Sequence, residues 1–149
     1  RRVLFRSLNN KELPIYAKGQ NSREWVHVLD HCEALFRLYL KGKNGESYNV
    51  GSGINLQNID LVKKIIKICK AMNIKIGNKS KIKFVKDRPG HDFRYSLNTS
   101  FIQNELGWSP KRNIQDALKE TIRWYVNNVD WSNKMLEKSG YKGQRLGSN

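Results

Sequence analysis

From Asn58 onward, apolar side chains recur at Val62, Ile65, Ile66, Cys69 and Met72, while Lys63, Lys64, Lys67 and Lys70 take the wet side. That i, i+3, i+4, i+7 spacing predicts a long amphipathic helix, which must bury one stripe against another layer. Runs of strand character lie on both sides of it: Glu46-Ser47-Tyr48-Asn49-Val50 before, and Ile82-Lys83-Phe84-Val85 after. Strands alternating with helices of this kind predict an α/β or α+β unit.

The remaining segments follow the same alternation. Leu13-Pro14-Ile15-Tyr16 reads as a short extended run, confined by its proline to an edge or entry position. Gly19 to Ser22 reads as a turn, and Arg23 to Val28 as a strand. Asp30 with Glu33 forms a capping-box pattern for a helix with Ala34, Leu35, Leu38 and Tyr39 on one face, ending at Gly42. Thr99 or Ser100 opens a short helix through Leu106, stopped by Gly107 and Pro110. Asn113 opens a last long helix to about Asn128, apolar at Ile114, Ala117, Leu118, Ile122 and Tyr125. Beyond Asp130 a tail is anchored by Trp131, Met135, Leu136 and Tyr141. Residues 1–7 run into the next segment without a turn or cap, and read as a remnant or as the stub of a longer chain. The domain proper is expected over residues 8–149.

A chain of 149 residues is long enough for one ordinary core, and 38% hydrophobic with 28% charged residues suits a soluble globular protein. No apolar run is long enough for a membrane span. Cys32 and Cys69 fall on apparent core faces, which fits small buried residues in a reducing, cytoplasmic setting rather than a disulfide or metal pair. The net charge of +15 could be a nucleic-acid footprint. However, the lysines are scattered, with no aromatic–basic platform and no recognition helix, which favours a solvated basic surface and no nucleic-acid partner.

Asp87-Arg88-Pro89-Gly90-His91-Asp92 follows the run Ile82 to Val85. Proline restricts φ and glycine permits φ > 0, so this loop can hold Arg88 and His91 in one orientation. A guanidinium is a planar fork of donors suited to phosphate oxygens. Arg23 lies at the edge of another strand-like run. The two arginines are therefore either a diphosphate clamp or two solvated surface groups, and composition does not choose between them. Tyr48-Asn49-Val50-Gly51-Ser52-Gly53 imitates a dinucleotide-binding turn, but Leu56 stands where the third glycine should be. Tyr39 and Lys43 match a Tyr-x-x-x-Lys pair, but Gly42 ends the helix between them. His27, His31 and His91 have no metal-ligand spacing, and no catalytic set is visible.

In combination and in this order, Leu13-Pro14-Ile15-Tyr16, Arg23 to His31, Tyr48-Asn49-Val50-Gly51, Asn58 to Val62, Asp87 to Asp92, Glu105-Leu106-Gly107-Trp108 and Trp124-Tyr125 resemble the dTDP-glucose 4,6-dehydratase family. These are extended short-chain dehydrogenase/reductases acting on nucleotide sugars, and the resemblance covers about Leu8 to Tyr141. It implies the C-terminal, substrate-binding part of a two-domain Rossmann-type α/β enzyme, without the N-terminal Rossmann half. The intact enzyme is then a lyase that turns dTDP-glucose into dTDP-4-keto-6-deoxyglucose with NAD, and a homodimer. By residue matching, Arg23 and Arg88 would grip the diphosphate, Asn58 would add a donor at a helix N-terminus, and His91 would bond nearby. Pro14 and Tyr16 would wall the thymidine, and Tyr141 is a further carry-over. The family's Gly-rich turn, Thr-Asp-Glu segment and Tyr-x-x-x-Lys helix have no match here. The resemblance thus implies no catalytic residue and no complete NAD site on this chain, and apolar surface left for the other half. Epimerases and decarboxylases of the same family share the looser segments.

Overall fold

A computed structural model describes residues 2–140. In chain order its elements are α1 (Arg2–Leu8), β1 (Leu13–Tyr16), β2 (Ser22–Glu24), α2 (Val28–Lys41), β3 (Asn55–Gln57), α3 (Asn58–Ala71), β4 (Ile82–Val85), α4 (Ser100–Leu106), α5 (Ile114–Asn127) and α6 (Val129–Lys138). β1 and β4 pair in parallel, Leu13 opposite Ile82 through Tyr16 opposite Val85. Parallel neighbours cannot be joined by a tight turn, so the chain between them crosses over. α3 lies on that crossover, with Val62, Ile59 and Ile66 packed against Leu13 and Ile15. Side chains alternate along a strand, so Pro14 and Tyr16 share the opposite, half-buried face of β1. β2 and β3 form a second, antiparallel pair, Ser22 opposite Gln57 through Glu24 opposite Asn55.

The helix expected from Asn58 forms as read, with Leu61, Val62, Ile65, Ile68 and Cys69 buried and Lys63, Lys67 and Lys70 exposed. Its stripe meets Leu4 of α1 and Ile122 of α5 in the largest apolar cluster. The short helix α4 ends at Gly107 in the left-handed conformation, and Asn113 caps α5 by accepting from the Asp116 N–H.

Elsewhere tertiary contacts override local pattern. The stretch set aside at the start of the chain folds as α1 from Arg2, and Leu4 is only 3% exposed. The strand expected to reach Val28 stops at Glu24, and α2 is capped by His27, whose Nδ1 accepts from the Leu29 N–H. Asp30 does not cap. Its buried carboxylate accepts from the Arg112 backbone N–H at 3.2 Å and from Arg112 Nη1 at 2.8 Å. Arg112 Nε and His27 Nε2 both meet Glu120, at 3.1 and 3.4 Å, tying the start of α2 to α5.

Residues 46–50 belong to no strand among the described residues: Tyr48 stacks on Phe101, and Val50 joins Ala34, Ile102 and Trp108. Of the apolar face expected on α2, only Ala34 and Leu38 turn inward. Leu35 and Tyr39, expected on the same buried face, are exposed, as is Cys32. The tail beyond Asp130 is helical in α6 up to Lys138.

Candidate functional site

Parallel pairing brings the C-terminal ends of β1 and β4 side by side, the position at which parallel sheets present ligand-binding loops. β4 leads into the Asp87–His91 loop, where Gly90 has φ +63, the left-handed value the turn requires. Asp87 Oδ1 accepts from the Arg88 backbone N–H at 2.9 Å and lies 2.6 Å from His91 Nδ1. The His91 contact, more than any other, holds the Asp87 carboxyl below the usual carboxylate range. His91 in turn meets Tyr16 edge-on, with ring centroids 5.5 Å apart at 76°. Thus β1 and the loop after β4 present Tyr16, Asp87 and His91 as one packed group.

Arg23 comes from β2. Its guanidinium donates to the Ser22 carbonyl at 2.6 Å and the Asp92 carbonyl at 3.0 Å, and lies 4.5 Å from the centroid of the Tyr95 ring. The Tyr95 hydroxyl bonds Asp92, and that bond is the main reason the Asp92 carboxyl sits low and the Tyr95 phenol high. Through the Asp92 carbonyl, Arg23 reaches the backbone of the segment that carries Arg88, four residues before Asp92. Arg88 is exposed at the loop, with its side chain available to solvent.

Asn21 connects these parts. It is 6% exposed, donates through Nδ2 to the Asp92 carbonyl at 3.2 Å, and accepts the Asn58 N–H on its own carbonyl at 2.9 Å. Asn58 therefore stands at the first turn of α3 beside the Arg23 strand. Ser22 adds two backbone bonds to the same loop, to Phe93 at 2.8 Å and from Tyr95 at 3.3 Å. Pro14 lies on the Tyr16 face of β1, one alternate position earlier. Tyr141 lies outside the described residues. Neither Asn21 nor Tyr95 stands out in the sequence. A buried asparagine in a Gly-Gln-Asn-Ser turn and a tyrosine three residues after Asp92 are weak signals until the loop is folded against β2.

The turn that imitates a dinucleotide site is already filled. Glu24 Oε1 accepts from the Gly53 N–H at 2.7 Å, and Oε2 accepts from the Leu97 N–H at 2.9 Å. A Cβ on Gly51 would sit 2.3 Å from Glu24 Oε1, so this glycine makes room for a carboxylate. A carboxylate on the turn repels a pyrophosphate, so these residues do not fit NAD. Lys43, beyond the end of α2, pairs with Glu105. Among the described residues there is no group of His, Cys, Asp and Glu that could hold a metal, and no helix long and apolar enough to cross a membrane.

The family model described as GDP-mannose 4,6 dehydratase matches residues 2–121. The chain belongs to this family. A dTDP-glucose 4,6-dehydratase of Escherichia coli is 37% identical over 97% of this chain and 41% of its own length. A crystal structure of the Bacillus anthracis dTDP-glucose 4,6-dehydratase in complex with NAD superposes with a TM-score of 0.75 at 37% identity, covering 87% of this chain and 39% of that one. The UDP-glucose 4-epimerase of Thermotoga maritima, solved with UDP-glucose, gives a TM-score of 0.74 at 25% identity over 85% of this chain and 38% of its own. The chain thus spans about 41% of the length of the Escherichia coli relative. The match beginning at residue 2 places α1 inside the family's fold.

Proposed function

We propose that this chain is the nucleotide-sugar-binding, C-terminal portion of a dTDP-glucose 4,6-dehydratase, with dTDP-glucose as the substrate of the whole enzyme. The observation that supports this reading is the bond from the Arg23 guanidinium to the carbonyl of Asp92, four residues beyond Arg88 on the same loop, so that Arg23 reaches the segment that carries Arg88. Two guanidinium forks turned toward one ligand would suit the four unesterified oxygens of a diphosphate better than one fork would. Tyr16, edge-on to His91, and Pro14 on the same face offer an apolar wall with a polar handle for the base and ribose. Asn58 and Tyr141 complete the proposed set. Identity of 37% to a dTDP-glucose 4,6-dehydratase, against 25% to a UDP-glucose 4-epimerase, supports the thymidine nucleotide.

In this reading NAD binds to the rest of the enzyme, because the described residues do not fit it, and this chain alone catalyses no dehydration. The apolar surface of α2, with Val28, Leu29, Phe36 and Leu40 more than half exposed, is where the remainder of the enzyme packs. The intact enzyme is proposed to be a cytoplasmic homodimer, and the lysine-rich surface to be solvated rather than bound to nucleic acid.

Calorimetric titration of this chain with dTDP, UDP and thymidine tests the assignment. dTDP should bind more tightly than either. Arg23→Ala and Arg88→Ala should each weaken dTDP by on the order of 2–4 kcal/mol and leave thymidine unchanged. Preference for UDP would move the chain to the epimerase branch. Indifference to both arginines would remove the diphosphate reading.

A further inference from the structure

We propose that Tyr95 is the positioning residue for Arg23, a stacking platform that holds the guanidinium in the plane from which it meets a diphosphate. The inference rests on the diphosphate reading given above. An arginine side chain free in solution samples many rotamers, and ordering it on a ligand opposes binding. Here that ordering is already present. The fork lies 4.5 Å from the ring centroid of Tyr95, and two of its five N–H groups are occupied by the Ser22 and Asp92 carbonyls. The other N–H groups remain, in the plane of the fork, for a phosphate oxygen to accept.

The platform is itself held, although Tyr95 is 52% exposed. Its N–H donates to the Ser22 carbonyl at 3.3 Å, its carbonyl accepts from Asn55 Nδ2 at 2.5 Å, and its hydroxyl bonds the Asp92 carboxylate. These anchors belong to β2, to β3 and to the segment after the Arg88 loop, so the ring is fixed relative to the strand that carries Arg23. A half-exposed tyrosine with three anchors contributes little to the core. Its geometry serves the cation above it. Lysine in place of Arg23 would lack the flat fork that this platform fits.

Calorimetric titration of this chain with dTDP and thymidine separates the outcomes. Tyr95→Leu should weaken dTDP about fivefold, the scale of an exposed cation–π contact, and leave thymidine unchanged. Tyr95→Phe keeps the ring and should stay within about twofold of the parent chain. Arg23→Ala combined with Tyr95→Leu should be no weaker than Arg23→Ala alone, since the platform acts only through the guanidinium. Arg23→Lys reads the same effect without altering Tyr95, and should weaken dTDP by at least about fivefold while losing less than Arg23→Ala. If Arg23→Ala weakens dTDP while Tyr95→Leu does not, or if the two losses add, or if Arg23→Lys binds like the parent, the positioning role is wrong and the diphosphate reading survives. A parent chain that binds dTDP no more tightly than thymidine overturns both.

Discussion

Placing a single methyl group on Gly51 should destabilise the chain by about 2–4 kcal/mol, and nearly all of that loss should pass through Glu24. The Cβ would lie 2.3 Å from Glu24 Oε1 and 3.0 Å from its Cδ. The carboxylate cannot withdraw without releasing the Gly53 N–H, held at 2.7 Å, and the Leu97 N–H, held at 2.9 Å. Hydrogen bonds to a charged group contribute about 1.5–3 kcal/mol each, and because both lie near solvent and the carboxylate regains water on release, the expected loss lies around the lower end of their sum, about 3 kcal/mol. The Gly51 φ is outside the left-handed region, so alanine is not strained by its own backbone. In a Glu24→Ala background only the Thr99 methyl, 3.3 Å from the added Cβ, still has to yield by a few tenths of an ångström, and Gly51→Ala should cost less than about 1 kcal/mol. Urea denaturation of the four proteins, compared by midpoint at constant slope, measures the coupling directly. A Gly51→Ala loss that persists at full size without Glu24 would refute the explanation. The glycine would then be answering to something other than this carboxylate.

Leu4→Ala should cost about 2–4 kcal/mol, as expected for a leucine 3% exposed in the main apolar cluster, and denaturant midpoints will show it. A loss below about 0.5 kcal/mol would mean α1 is not part of the core. Asp87 has a folded pKa below its unfolded one, chiefly through His91, so its stabilising contribution is complete above the ordinary carboxylate range and is lost as pH falls through the lowered value. The stability difference between the parent chain and Asp87→Asn should therefore shrink on acidification below about pH 4. A difference that instead grows toward low pH would contradict the His91–Asp87 contact.

The arginine pair shows how far residue order alone could be carried. Arg88 in a Pro-Gly loop and Arg23 at a strand edge are local facts, and the expectation that each is held near the end of a strand needs only backbone chemistry. The approach of Arg23 to the segment beyond Arg88 depends on Asn21 and Ser22 gripping residues Asp92 to Tyr95, contacts that span about seventy residues of sequence. Tyr95 is invisible in the sequence for the same reason. A half-exposed tyrosine acquires a role only when a cation from another strand lies on it.

What the sequence determined by itself is the set of elements whose signals are local: the α3 stripe, the Asn113 cap of α5, the Gly107 stop of α4 and the left-handed turn at Gly90. Each depends on neighbours within a turn or two, so periodicity and capping chemistry suffice. The tertiary structure alone decided that Asp30 pairs with Arg112 instead of capping a helix, that residues 46–50 pack on α4 without joining a sheet, and that Leu4 of α1 belongs to the core. Buried charge, strand pairing and apolar burial are all settled by groups remote in the chain, and a local pattern carries no record of which remote group arrives.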